Sequence, residues 1–204
     1  MQDQPADVLD SIYFVFERIN SGGIRLSPQE IRNCISAGPF TNMIKRLNSD
    51  ESWRKVFGGP INKRAKDEEL LVRFFAMYDG RADYARPMAA FLNNYSDKMN
   101  KAPLDKLETL SSLFHSTIEL IDRAVNGRAF RPVRTLNAAV FDSVMPGLAA
   151  RIQAGPMPEP DAVARAYDGL MASADYRKYW ERATADEETV KKRMELATAA
   201  FANI

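Results

Sequence analysis

The stretch Phe14–Asn33, FVFERINSGGIRLSPQEIRN, places a helix, a glycine break and a punctuated second helix start in one short run. Counting in from Val8, the apolar residues Val8, Leu9, Ile12, Val15, Phe16 and Ile19 recur at three- and four-residue spacing. That is the pattern of a helix burying one broad face, with Glu17 and Arg18 off the stripe. Asn20-Ser21-Gly22-Gly23 then breaks the helix, because glycine takes positive φ without penalty and asparagine tolerates the left-handed region. The next helix opens with Ser27 as N-cap, Pro28 at N1 and Glu30 at N3, a capping box with proline in its preferred place. Ile31 and Ile35 are expected to face inward, leaving Gln29, Arg32 and Asn33 available to a partner. Cys34, between the two isoleucines, is expected to be a small buried residue.

Outward from this run the chain reads as helices throughout. Gly38-Pro39 stops the second helix. Phe40, Ile44 and Leu47 predict a short third helix, followed by an irregular piece carrying Trp53 and Phe57 and ending at Gly58-Gly59-Pro60. Trp53 is expected in the core, with base stacking as the alternative. Further helices are predicted over 67–78, 84–99, 103–125, 136–152, 161–172 and 175–180, with a kink at Pro146-Gly147. Thr184 and Glu187 predict a capping box that opens a last helix through Phe201. No alternating stretch predicts a strand, and no repeat is visible. The expected fold is all-α, a multi-helix bundle of about eight to ten helices. It forms one helical domain over 1–204, with a possible subdivision into a 1–60 helix-loop-helix region and a 61–204 bundle.

Composition narrows the function. Lys+Arg 28 against Asp+Glu 27 gives a formal charge of +1, so any nucleic-acid surface must come from local clustering. A single cysteine excludes an internal disulfide, and His115 as the sole histidine excludes a His-based metal cluster within one chain. Neither a signal-peptide pattern nor a long apolar run is present, so the expectation is a cytoplasmic protein with no membrane contact. No carboxylate spacing points to a metal or an acid–base pair, so no catalytic residue is assigned.

Two stretches are candidates for phosphate binding. Around the glycine break, the backbone N–H groups of Ser21, Gly22 and Gly23 can form an anion nest, with Arg18, Arg25 and Arg32 supplying charge. The alternative is a helix-loop-helix corner whose polar groups satisfy only the backbone. There is no GxxxxGK[ST], and the break is longer than a helix-turn-helix turn. The second stretch is Asn126–Asn137, NGRAFRPVRTLN, a loop with Arg128, Arg131 and Arg134. Three guanidiniums with no carboxylate nearby in the chain suit phosphate or carboxylate recognition, and equally suit capping of helix C-termini. The basic run Lys63, Arg64 and Lys66 is read as a solvated loop, with phosphate contact as the alternative.

The phrase F-E-R-I-N-S-G-G-x-x-L-S-P-Q-E-I-R-N resembles the helical half of the ParB-like domain at the N-terminus of GmrSD-type, modification-dependent restriction enzymes and of SspE-type phage-defence proteins. Phe16, Arg18, Asn20, Ser21-Gly22-Gly23, Leu26, Glu30 and Arg32-Asn33 stand at the phrase positions. A weaker likeness continues through Glu69–Phe74, Phe130-Arg131, Asn137, Phe141-Asp142 and Arg193-Met194, so it spans nearly the whole chain. In that family the helical part follows an α/β portion bearing D-G-Q-Q-R, linked to nucleotide hydrolysis, and many members end in an HNH-type nuclease domain. This chain contains neither.

The resemblance therefore implies a fragment or a separately encoded half working with a ParB-like or nuclease partner. It implies nucleotide- or DNA-phosphate-binding roles for Arg18, Asn20, Ser21, Gly22, Gly23, Arg32, Asn33, Arg131, Arg134 and Asn137. It also implies a nucleoside triphosphate with Mg²⁺ in the complete system and none bound by this chain alone. The other expectation, of a different class, is a non-catalytic scaffold that self-associates as a homo-oligomer or binds a partner.

Overall fold

A computed structural model describes residues 25–204 together with Ser11, Tyr13 and Val15. Ten α-helices run through residues 25–204, and no strand occurs among the described residues, so the all-α expectation holds. In chain order they are α1 (Pro28–Ile35), α2 (Pro39–Leu47), α3 (Glu51–Phe57), α4 (Lys66–Asp79) and α5 (Met88–Asn100). Then come α6 (Leu104–Val125), α7 (Ala138–Ala154), α8 (Pro160–Ala172), α9 (Ala174–Glu181) and α10 (Glu187–Phe201). Single 3₁₀ turns at Arg81–Asp83 and Asn126–Arg128 follow α4 and α6.

Helix α7 is the axle of the bundle. Every residue from Ala139 to Ala149 is buried, because apolar side chains point outward on all sides of this stretch and its two polar residues, Asp142 and Ser143, find partners inside the protein. Helices α4, α6 and α10 pack around it. The helix continues unbroken through Pro146. Gly147 beside it lets α10 come close: a Cβ there would stand 3.1 Å from the carbonyl carbon of Ala197. At such a helix contact even one added methyl group forces the backbone to move.

Trp53 has no exposed surface and seals the junction of α3, α6 and α7. Its ring centroid lies 5.4 Å from Phe57, 6.2 Å from Phe114 and 5.6 Å from Phe141, and its indole N–H donates to Asn48 Oδ1 at 3.0 Å. The ring therefore has no free face on which a base could stack. One hydrophobic cluster joins residues from Phe40 to Phe201, so helices on both sides of residue 60 share it.

Charge is buried at the same centre. Arg73 of α4 grips Asp142 of α7 bidentately: Nε donates to Oδ1 at 2.9 Å and Nη2 donates to Oδ2. Asp142 is fully buried. Burial alone would pull the Arg73 pKa down, but the facing Asp142 carboxylate and, more weakly, Glu69 raise it above the ordinary arginine value. Arg193 of α10, also fully buried, spans the α9–α10 connection, with Nη1 donating to the carbonyls of Tyr179 at 2.8 Å and Thr184 at 3.2 Å. Arg73, Asp142 and Arg193, scattered through the weaker part of the family likeness, thus meet inside the bundle.

Three local expectations are corrected. Residues 51–57 form a helix and not an irregular piece, because Asp50 Oδ1 accepts the Trp53 N–H at 2.9 Å as an N-cap and Gly58 at φ 81° ends the turn. The predicted box at Thr184 and Glu187 does not form. Asp186 precedes α10, and the Glu187 carboxylate instead accepts the Arg86 backbone N–H at 2.9 Å and faces the Arg86 guanidinium. Cys34 is exposed: Ile31 is buried as expected, together with Gln29 and Arg32, whereas Cys34 falls on the side of α1 that is left to solvent.

Candidate functional site

The capping box that opens α1 is formed as predicted: Ser27 Oγ accepts the Glu30 N–H at 3.2 Å, and Glu30 Oε2 accepts the Ser27 N–H at 2.6 Å. The second bond, from the Ser27 backbone N–H, is the main reason the Glu30 carboxyl lies below its ordinary value; the Ser27 hydroxyl and Arg64 add to it. Arg64 reaches Glu30 at 3.1 Å and also donates to the Arg25 carbonyl, so it belongs to this corner and not to a free solvated loop.

Arg18, Asn20, Ser21, Gly22 and Gly23 lie outside the described residues. Arg32 and Asn33, expected to face a partner, are engaged internally. Arg32 is 2 % exposed; its Nε donates to Asn93 Oδ1 at 3.0 Å and its Nη1 to Gln29 Oε1. Burial lowers the Arg32 pKa from its ordinary value. Asn33 donates to Glu68 Oε2 at 2.5 Å and accepts from Gln29 Nε2 at 2.9 Å. The reason is that α1 sits in a corner against α4 and α5, where more than one of its faces is covered.

The second stretch holds its arginines quite differently. Phe130 sits in the left-handed region at φ 61°, a conformation that a bulky residue keeps only when its surroundings fix it. Here they do. The Phe130 N–H donates to the Tyr167 hydroxyl at 3.0 Å, its carbonyl accepts the Asn137 N–H at 2.8 Å, and its ring packs edge-on to Phe141 with centroids 5.0 Å apart. Burial pushes the Tyr167 phenol above its ordinary pKa, so it remains a neutral acceptor for that bond.

This turn drives Arg131 back onto the end of α3. Its Nη1 donates to the Val56 carbonyl at 2.7 Å and its Nη2 to the Phe57 carbonyl at 2.5 Å. Of the two roles open to Arg131, the structure shows the helix C-cap. Asn137 is likewise a cap: its Oδ1 accepts the Ala139 and Val140 N–H groups at 2.9 and 3.1 Å, opening α7.

Arg128 and Arg134 stay on the surface. The loop that carries them lies across α8 and α9, and between them is an open groove of about 660 Å³. Arg128, Arg134 and Arg177 line it with solvent-exposed guanidiniums, and Arg131 adds the edge of a fourth. Tyr167, Met171 and Trp180 supply its apolar wall, and Val133, 81 % exposed, stands at the rim. Asp168 lies 3.5 Å from Arg128 and Glu181 4.0 Å from Arg177, both pairs between exposed groups. Arg134 makes no ion pair or hydrogen bond among the described residues.

Four guanidiniums against two carboxylates make this groove a local cationic site on a nearly neutral chain. Of the residues assigned from sequence, Arg131 and Arg134 are brought to it. Asn137 supports it from beneath, and Arg32 and Asn33 lie at the α1 corner. Nothing local in the sequence marks Arg177, Asp168, Tyr167 and Trp180 as partners of this loop. They lie on plain amphipathic helices some forty residues downstream.

Among the described residues no group of three or more His, Cys, Asp or Glu is placed to hold a metal ion. His115, exposed at the edge of α6, bonds to Asp50 at 2.6 Å beside the start of α3. No helix among the described residues is long and apolar enough to cross a membrane. The chain matches no family model, no curated protein and no solved structure.

Proposed function

We propose that this chain is a helical, non-catalytic part of a GmrSD-related restriction or phage-defence protein, which binds the phosphates of a nucleotide or of DNA for a catalytic half supplied separately. The observation that carries the binding role is the convergence of Arg128 and Arg134, from one loop, with Arg177, from a helix some forty residues downstream, on one groove. Guanidiniums are the side chains best matched to phosphate oxygens, since their planar fork donates two parallel bonds and stays charged at all working pH values. No group of three or more His, Cys, Asp or Glu among the described residues is placed to hold a metal ion. The defence context rests on the likeness of the Phe16–Asn33 phrase.

The reading is tested by fluorescence anisotropy with two probes, a labelled DNA duplex and a labelled nucleoside triphosphate, against the wild-type chain and Arg134→Ala at low and moderate salt. At least one probe is expected to bind in a salt-sensitive manner and to bind the variant more weakly. For a duplex, losing one phosphate contact lowers the slope of log affinity against log salt by about 1. Failure of both probes, or identical binding by the variant, overturns the phosphate-binding role.

A further inference from the structure

We infer that the groove between the Asn126–Asn137 loop and helices α8 and α9 takes a free nucleoside polyphosphate, and not the backbone of duplex DNA. This rests on the phosphate-binding reading above and narrows it to a ligand class.

Shape is the first reason. A duplex backbone is met by cations spread along a surface, whereas here the guanidiniums converge around a concavity of about 660 Å³. That volume falls within the range of small-molecule sites, roughly 300–1,000 Å³. The chain also lacks the excess of positive charge that draws long polyanions, since its formal charge is +1.

The second reason is the mixture of surfaces. Arg128, Arg134 and Arg177 supply charge for phosphate, while Met171, Trp180 and the rim residue Val133 supply apolar surface that bare phosphate does not need and a nucleobase does.

The third reason is how the empty groove is held. Arg128 and Arg177 are paired with Asp168 and Glu181 only at 3.5 and 4.0 Å and between exposed side chains, a weak kind of ion pair. A polyphosphate displaces both carboxylates without stranding a buried charge, and Arg134 has no internal pairing to give up. Arg131 does not move, because the α3 carbonyls hold it.

Isothermal titration calorimetry of the whole chain with ATP, AMP, inorganic pyrophosphate and a blunt DNA duplex tests this, with Arg134→Ala and Arg177→Ala as variants. ATP is expected to bind saturably with a Kd below about 1 mM, and each variant to weaken it by about tenfold. AMP and pyrophosphate, each lacking part of the ligand, are expected to bind more weakly than ATP. Circular dichroism melting of both variants should match wild type, since the replaced side chains are exposed. ATP binding that neither variant weakens puts the ligand elsewhere and overturns the inference. Pyrophosphate binding as tightly as ATP overturns the nucleoside part. Duplex binding that depends on Arg134, with no ATP binding, overturns the inference and leaves the phosphate-binding reading standing. Failure of every probe overturns both.

Discussion

Asp142→Asn removes one negative charge from a fully buried site at nearly constant side-chain volume, so no cavity contributes to its effect. What remains is Arg73, gripped bidentately in the wild type and only 14 % exposed, with its counter-charge gone. Breaking a buried pair by losing one partner costs about 3–5 kcal/mol. Two features place this site toward the lower end, about 3 kcal/mol: asparagine keeps one oxygen that accepts an Arg73 N–H, and Glu69 stands 3.7 Å from the guanidinium. Arg193 acts the other way, since the Asp142 charge offsets the burial of its guanidinium and the Arg73 charge opposes it, so losing Asp142 removes that offset too.

Urea denaturation followed by circular dichroism reads the loss directly. At about 2–4 °C per kcal/mol for a domain of this size, the melting temperature should fall by about 6–12 °C. An Arg73→Met/Asp142→Asn double variant, which removes the orphaned charge, should recover much of the loss. A single-variant loss below about 1 kcal/mol, or a double variant no more stable than the single, refutes the claim that an uncompensated buried charge is the source.

Two further outcomes follow from the same geometry. Arg131→Ala strips the Val56 and Phe57 carbonyls of charged donors and should cost about 1.5–3 kcal/mol, whereas Arg134→Ala should stay within about 0.5 kcal/mol of wild type; equal urea midpoints for the two variants refute this division between cap and surface. Because the folded-state pKa of Glu30 is lowered, its contribution to stability is complete above the unfolded value near 4.5 and is lost as pH falls through the folded value. Glu30→Gln should therefore be less stable than wild type at neutral pH and converge with it in acid. Urea midpoints from about pH 6 to about pH 3 decide the matter, and parallel curves count against the assignment.

Local chemistry set much of the architecture. The 3.6-residue spacing in Leu104–Val125 and its neighbours placed the helices, and the Ser27-Pro28-Gln29-Glu30 run announced a helix start that the structure reproduces bond for bond. Such features are legible because they act within one turn of chain. Residues 51–57 carry a weaker local signal, since a seven-residue helix leaves little periodicity and its start rests on the single Asp50 cap. The apolar run around Phe141 predicted a helix, but not that it would be the axle, because full burial depends on what surrounds it.

Side-chain roles were mostly decided by distant residues. Sequence grouped Arg128, Arg131 and Arg134 and left two roles open for them. Tertiary structure separated them: the end of α3 claims Arg131, while Arg134 stays in solvent beside Arg177. Arg32 looked free from the spacing of Ile31 and Ile35, yet Asn93 and Gln29 enclose it. Spacing tells which residues share a helix face, whereas burial and pairing are set by whichever element packs there. In this chain, local preferences dictate that helices form and where most of them start, because capping and spacing act within a turn or two. Only the packing of α3, α8 and α9 around one loop decided which arginines are structural and which are left to meet a ligand.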